Sequence, residues 1–371
     1  MSEDLDPAVR MALTVNERDL DELAGKLARW LSDKVGAEAT TSNLSKPSSG
    51  GMSSTTILFD ASWSGAEQGS FVVRMAPEDS SFPVFESYDL AMQYQVMAGV
   101  GAASAVAVPP VRWLELDESV FGSPFLVMEQ VRGRAPTDNP PYVFFGWLFD
   151  ATPAERALIA DATVEVIAAV HAIDDVAQRF PLLDGPDTAL RRHFQAQRDW
   201  YKWALLDHDV EVPLIERAFD WLEAHWPADP SPEVLNWGDA RPGNILFDGF
   251  VPTAVLDWEM ATFAPRELDL GWTIFIHRFF QDLATRFDQP GLPDFMRRDA
   301  VVAKYEALTG HSVRDLDFYI VYAALRHAIV MARIKCRMIH FGEDTVPDDL
   351  DDYVMHRLSL EALLDGTYEW D

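Results

Sequence analysis

The fold is decided by two stretches, Asn-Trp-Gly-Asp-Ala-Arg-Pro-Gly-Asn at residues 236–244 and Leu-Asp-Trp-Glu at residues 256–259. Two strand-like segments, 244–247 and 254–257, join them. These segments flank Asp248-Gly249, a dipeptide typical of the tight turn of a β-hairpin. The pattern predicts a hairpin that carries conspicuous polar side chains at both of its ends.

Three of these polar residues, Asp239, Asn244 and Asp257, form the pattern D-x4-N followed thirteen residues later by a second Asp. Phosphoryl transfer needs a carboxylate that orients the attacking hydroxyl and accepts its proton, and oxygen ligands that hold Mg²⁺ against the triphosphate. Mg²⁺ keeps water and phosphate oxygens, so one amide oxygen and one carboxylate suffice. The pattern predicts Asp239 as the base and Asn244 and Asp257 as metal ligands. The alternative is a pair of ordinary Asx turns.

Two further polar residues, His171 and Asp269, lie in segments with helical periodicity. His171 sits among apolar residues and is interpreted as a core histidine rather than a proton-transfer group. Asp269 lies at the start of a helix that follows the hairpin. A buried acid at that position would support the segment that carries the candidate catalytic residues, 236–259, by hydrogen bonding.

The composition describes an acidic globular protein. Of 371 residues, 48% are hydrophobic and 24% charged, which excludes general disorder and suits two or three lobes. A formal charge of −30 disfavours nucleic acid and anionic membranes as partners. The single Cys336 cannot form an internal disulfide, the first residues are acidic, and no long apolar run occurs. We therefore expect a cytoplasmic protein that neither spans a membrane nor is exported.

The order of the predicted elements indicates an α+β protein with a β lobe before a larger helical lobe. An amphipathic helix at 16–35 precedes short β-branched segments, a helix near 84–98 and two more strands, which together predict a five-stranded antiparallel sheet with one helix. Beyond residue 136 the periodicity is mostly helical. The predicted division is an N-terminal helical extension at 1–36, a nucleotide-binding β lobe at 37–133 ending in a hinge, and a helical lobe at 134–371.

The block W-G-D-A-R-P-G-N-I-L-F at 237–247, with V-L-D-W-E-M-A at 255–261, resembles the aminoglycoside phosphotransferase family. The resemblance is greatest to the hydroxyacyl-CoA-kinase-like branch, which is related to the kinase part of some acyl-CoA dehydrogenases. It covers about residues 39–272 and implies a bilobal protein-kinase-like fold that binds ATP and Mg²⁺. The family usually has His where this chain has Trp237, which indicates a structural position.

The resemblance also implies a phosphate-binding loop and a phosphate-binding cation. The small-residue turn after Lys46 would otherwise be interpreted as a simple hairpin loop, but its backbone amides could approach phosphates. The candidate residues in this loop are Ser49, Gly50, Gly51 and Ser53. Arg74 occupies the third-strand position where kinases carry a phosphate-binding Lys, and it keeps the charge. The alternative for Arg74 is an exposed residue on an edge strand.

Two other positions of the nucleotide lobe follow from the same resemblance. The usual partner of Arg74 is a Glu on the next helix, and the matching position here is Gln93. We therefore expect a neutral hydrogen bond to hold Arg74. The segment 125–131 resembles the hinge between the lobes, where Glu129 and Val131 would contact adenine through their backbone groups.

The acceptor is expected to be a small molecule with a hydroxyl group. Only about ten residues separate Asp257 from the helix at Glu267, too few for a peptide-binding activation segment. An aminoglycoside-type antibiotic would suit acid-lined walls. A hydroxyacyl-CoA or other metabolite is the alternative, and CoA phosphates would require a basic patch, for which the candidates are Arg191, Arg192, Arg198 and Lys202. A third possibility is a non-catalytic nucleotide-binding scaffold, although the complete set of Asp239, Asn244 and Asp257 argues against it.

Overall fold

The computed structural model describes residues 19–47, 54–64, 68–77, 81–208 and 210–370. The strands are β1 Ala39–Ser45, β2 Thr55–Trp63, β3 Gln68–Met75, β4 Val111–Glu115, β5 Phe125–Glu129, β6 Glu233–Asn236, β7 Ile245–Asp248, β8 Val251–Val255 and β9 Thr262–Pro265. The helices are α1 Leu20–Val35, α2 Leu90–Ala103, α3 Trp147–Asp150, α4 Pro153–His171, α5 Val176–Arg179, α6 Ala189–Leu205, α7 Pro213–Ala224, α8 Glu267–Arg286, α9 Arg298–Thr309, α10 Leu316–His340 and α11 Arg357–Asp365.

The first five strands form one antiparallel sheet in the order β1-β2-β3-β5-β4. This confirms the predicted five-stranded lobe. Side chains alternate between its two faces, so the odd and even positions of β3 enter different cores. Phe71 and Val73 pack with the α1 side chains, whereas Val72 belongs to the larger core shared with the helices. Arg74 follows Val72 by two residues and therefore points towards the helical lobe.

Helix α1 closes the other face of the sheet. The Asp19 carboxylate caps its N-terminus by accepting hydrogen bonds from two backbone N–H groups, and Gly36 ends it in the left-handed conformation. Leu27 and Leu31 are completely buried against the strands. Burial of each such side chain contributes roughly 1.5–3 kcal/mol. Trp30 meets Phe125 edge to face with ring centroids 4.8 Å apart.

The helical lobe is built around α8 and α10, whose side chains are buried along most of their length. The mostly helical character predicted beyond residue 136 is confirmed, but the paired strands β6 and β9 were not predicted. Helix α2 begins at Leu90, six residues later than expected, because Asp89 caps it through the Met92 N–H. Across the described ranges, no helix is both long and apolar enough to cross a membrane.

Candidate active site

Two short antiparallel strand pairs hold the candidate catalytic segment, residues 237–261. Strands β6 and β9 enclose residues 237–261, and within them β7 and β8 form the predicted hairpin. The Leu256 N–H donates to the Asn244 carbonyl at 2.8 Å, which joins the two ends of the hairpin. This closure brings the loop before β7 beside the segment after β8.

Asp239 lies in this loop and is 8% exposed. Its Oδ1 accepts from Trp272 Nε1 at 2.7 Å and from Arg241 Nε at 2.9 Å, while its Oδ2 accepts from Asn244 Nδ2 at 2.6 Å. Burial opposes ionisation, but the charge of Arg241 and these hydrogen bonds outweigh it and lower the pKa of Asp239. The carboxylate is therefore ionised and fixed in orientation at neutral pH.

Arg241 links Asp239 to a second carboxylate, that of Asp138. Its Nε contacts Asp239, and its Nη1 donates to Asp138 Oδ2. Burial raises the pKa of Asp138, while the adjacent Arg241 opposes this effect. Sequence reasoning missed Asp138 because it lies about a hundred residues before Arg241, in the segment that follows β5. The trio places one cation between two carboxylates.

Asn244 and Asp257 offer the oxygen atoms expected of magnesium ligands. Asn244 uses its Nδ2 to reach Asp239, so its amide oxygen is the atom left for a cation. Asp257 has φ of 58°, an unusual conformation for a residue with a side chain. One carboxylate and one amide oxygen fit Mg²⁺, which takes its remaining ligands from phosphate and water. The described residues contain no cluster of three or more His, Cys, Asp or Glu able to hold a metal without a nucleotide.

Arg74 reaches this segment from β3. Its Nη2 donates to Asp257 Oδ1 and to Glu259 Oε2, both at 2.7 Å. The Arg74 side chain is only 11% exposed, which excludes an exposed edge-strand residue. Although burial alone would lower the pKa of Arg74, the two carboxylates raise it overall, so the guanidinium stays charged.

The expectation that a neutral hydrogen bond holds Arg74 was wrong, because two carboxylates hold its guanidinium instead. Gln93 is 2% exposed and lies within α2. The contact of Glu259 with Arg74 could not be inferred from local spacing, because the two residues lie 185 positions apart.

The hinge segment continues from the end of β5, which lies between β3 and β4 in the sheet. Glu129 pairs with Phe71 in the strand register, and the Gln130 N–H donates to the Ser70 carbonyl at 2.9 Å. The Glu129 carboxylate forms an ion pair with Arg112, so only its backbone remains a candidate for adenine. Val131 follows at the end of the strand pairing.

The phosphate-loop candidates Ser49, Gly50, Gly51 and Ser53 lie outside the described residues.

Buried groups behind the loop fix its backbone. Asp269 accepts from the Trp237 and Gly238 N–H groups at 2.7 and 2.8 Å, and His171 Nε2 lies 3.2 Å from the same carboxylate. These contacts agree with the bracing role expected of Asp269. The Trp237 indole is fully buried and donates to the Leu256 carbonyl at 2.8 Å, so this position is structural.

Arg326 on α10 supports the same loop, and sequence reasoning missed it. It is completely buried, its Nη2 donates to the Gly238 carbonyl at 2.9 Å, and its guanidinium lies over the Trp272 ring at 4.3 Å. Burial lowers its pKa, although nearby Asp269 and Asp239 oppose this effect. The available signal was a lone Arg within the apolar stretch of α10.

Two of the four cations in the candidate CoA-binding patch on α6 already have acidic partners. Arg191 pairs with Glu223 at 2.8 Å, and Arg198 lies 3.8 Å from Glu216. Arg192 donates to backbone carbonyls of residues 183–187. Among the described contacts, Arg192 and Lys202 have no acidic partner, but Arg191 and Arg198 do, so the patch does not present four available cations.

Comparison with known proteins places this fold and site in a family. The model of the APH phosphotransferase enzyme family matches residues 46–307. The chain belongs to this family. Membership assigns it to the phosphotransferase enzymes, and its structure has the bilobal kinase-like α+β fold expected from the sequence.

The curated relatives of this phosphotransferase are longer proteins. It is 24% identical over 332 residues to the probable acyl-CoA dehydrogenase IBR3 of Arabidopsis thaliana, an alignment that covers 84% of this chain and 39% of that protein. It is 27% identical over 194 residues to acyl-CoA dehydrogenase family member 11 of Homo sapiens, covering 52% of this chain and 23% of that protein. The chain thus spans well under half the length of these relatives.

Solved structures share the fold of this phosphotransferase at low identity. A Ralstonia eutropha protein assigned as an aminoglycoside phosphotransferase has a TM-score of 0.64 and 23% identity, covering 92% of this chain and 97% of that one. The aminoglycoside phosphotransferase APH(4)-Ia, in complex with ADP and hygromycin B, has a TM-score of 0.57 and 17% identity, covering 92% and 98%. A choline/ethanolamine kinase family protein of Mesorhizobium loti has a TM-score of 0.56 and 17% identity, covering 93% and 95%.

Proposed function

We propose that this phosphotransferase moves the γ-phosphoryl group of ATP, with Mg²⁺, to a hydroxyl group of a small molecule. The observation that carries the proposal is that the segments bearing Asp239, Asn244 and Asp257 are joined by the Leu256–Asn244 backbone hydrogen bond, and that Arg74 reaches the same site from β3. Asn244 contacts Asp239, and Arg74 contacts Asp257, so each proposed catalytic or metal-binding side chain touches another of the set. Phosphoryl transfer requires such positioning more than covalent chemistry by the protein.

In this proposal Asp239 orients the acceptor hydroxyl and accepts its proton. Its lowered pKa makes it a weak base, which suits a loose transition state in which the hydroxyl proton is lost late. Arg241, in contact with Asp239, would offset negative charge near the transferred group. Asn244 and Asp257 would hold Mg²⁺, which neutralises the triphosphate when bound. Arg74, with Ser49, Gly50, Gly51 and Ser53, would bind phosphates, and Glu129 and Val131 the adenine.

Two acceptor classes follow from different observations. An aminoglycoside-type molecule is consistent with the charge of −30 and with the hygromycin B complex of the related fold. A hydroxyacyl-CoA or other small hydroxylated metabolite is favoured by the acyl-CoA dehydrogenase relatives. Arg241 forms ion pairs with both Asp239 and Asp138, so neither of these acids is left unpaired for a polycation.

A direct test compares the two acceptor classes with one assay. The purified chain is incubated with ATP and Mg²⁺ and either an aminoglycoside panel or a panel of 3- and 4-hydroxyacyl-CoA thioesters with their free hydroxy acids. Acceptor-dependent ADP release, with the acceptor gaining one phosphoryl group by mass spectrometry, identifies the class. Binding of a non-hydrolysable ATP analogue without transfer to any alcohol would instead support the non-catalytic scaffold.

A further inference from the structure

Arg74 can bind phosphate usefully only if another group fixes its long side chain. A free guanidinium on a strand loses considerable side-chain entropy when it orders, and a preformed ion pair removes that cost before the ligand arrives. In protein kinases this anchor comes from the helix after the third strand. Here that helix, α2, has the sequence LAMQYQVMAGVGAA and contains no acidic residue. The anchor of Arg74 must come from elsewhere.

The described contacts identify two carboxylates from a single segment, Asp257 and Glu259. Both accept from Arg74 Nη2 at 2.7 Å, and the Glu259 side chain is only 10% exposed. Alternate residues of the segment after β8 thus approach the same guanidinium. The two acids differ in their proposed roles, because Asp257 is also the proposed metal ligand and Glu259 is not.

We infer that Glu259 is the positioning residue for Arg74 and replaces the helix-borne acid of other kinases. When Asp257 is committed to the metal, Glu259 remains to hold the guanidinium against the nucleotide phosphates. Arg74 is thereby tied to the helical lobe, to the same segment that carries Asp257, rather than to α2. The inference rests on the proposed role of Arg74 as a phosphate ligand.

The test is a double-mutant cycle of Arg74→Met and Glu259→Gln, read by calorimetric binding of a non-hydrolysable ATP analogue with and without Mg²⁺. A charge-assisted contact of this kind predicts that each single variant binds the nucleotide roughly tenfold more weakly. Because Glu259 acts through Arg74, the double variant should bind no more weakly than Arg74→Met alone. Glu259→Asp should recover part of the affinity.

A matched control is Glu361→Gln, which breaks another Arg–Glu pair, with Arg357 at 3.0 Å on α11. It should bind the nucleotide like the wild type. Thermal unfolding of every variant separates loss of folding from loss of the contact, and Glu259→Asp covers the case in which Glu259→Gln does not fold.

The outcomes distinguish this inference from the proposed function. A wild-type protein that binds no nucleotide overturns both. If Arg74→Met weakens binding but the folded Glu259→Gln and Glu259→Asp variants do not, only the anchor is wrong. Additive losses in the double variant would also overturn it, as would a Glu259→Gln loss seen only with Mg²⁺, because that result would make Glu259 a metal ligand.

Discussion

Asp239 and Arg74 are held in opposite ways, although both are charged groups of the same candidate site. Asp239 receives hydrogen bonds from Arg241, Asn244 and Trp272, all in the helical lobe that also carries its own loop. Arg74 belongs to β3, and both carboxylates that hold it follow β8. The proposed base is therefore preorganised within one lobe, whereas the proposed phosphate-binding cation depends on contact between two lobes.

Substitution of the base should cause the largest loss and leave nucleotide binding intact. Asp239→Asn keeps the shape of the side chain but removes the charge that orients and deprotonates the hydroxyl. We expect kcat to fall by about 10²–10⁴ while ATP-analogue affinity changes little, since a base acts mainly in the transition state. Steady-state kinetics and calorimetry measure the two quantities. Near-normal turnover would exclude Asp239 as the base.

Asp257→Ala should affect both the proposed metal site and the position of Arg74. The substitution removes the proposed metal ligand and one of the two carboxylates that hold Arg74. We expect loss of activity together with loss of the Mg²⁺-dependent gain in nucleotide affinity. Calorimetry of the ATP analogue across a Mg²⁺ titration measures this gain. Equal affinity of variant and wild type at saturating Mg²⁺ would contradict the assignment.

Substitutions of Arg74 should weaken nucleotide binding in a graded way. Arg74→Met removes the charge and should raise the KM for ATP roughly tenfold. Arg74→Lys keeps the charge but loses the planar fork of donors, so an intermediate KM is expected. ATP titrations under steady-state conditions give the order of the variants. A Met variant with wild-type kinetics would remove Arg74 from the site.

Trp272→Phe should produce the smallest effect, which appears as a shift in pH dependence. The indole N–H is one of the groups that lower the pKa of Asp239, so its loss should raise that pKa. Because activity requires the ionised carboxylate, the acid limb of the kcat profile should move to higher pH, with kcat near neutrality reduced less than about tenfold. Trp221→Phe, which alters an indole stacked on His225, is the control. Coincident acid limbs in Trp272→Phe and wild type would show that this bond does not tune the base.

The parts of the molecule that sequence could predict are those in which neighbouring residues carry the signal. The hairpin turn at Asp248-Gly249 and the spacing of Asp239, Asn244 and Asp257 lie within about twenty residues, so their proximity follows from local chain geometry. The five-stranded sheet follows from alternating β-branched segments in the same way. The match of the family model agrees with this local pattern.

The parts that sequence could not predict arise from long-range contacts. Strands β6 and β9 have four residues each and no distinctive alternation, and they pair because the intervening loop folds between them. Asp138, Glu259 and Arg326 acquire their roles from partners about ninety to two hundred positions away. The neutral side chain of Gln93 indicated that α2 offers no acidic partner for Arg74. It could not indicate that the acidic partners lie in the segment after β8.

Two glycines of the catalytic loop set limits for engineering of acceptor preference. Gly238 has φ of 91°, and a Cβ there would lie 1.9 Å from the Met260 carbonyl oxygen. A Cβ at Gly243 would lie 2.6 Å from both carboxylate oxygens of Asp138. Libraries that randomise this loop would lose most members carrying other residues at either position, before any selection for a new substrate. Variation is better directed to other segments that line the acceptor site, while Gly238 and Gly243 are kept constant.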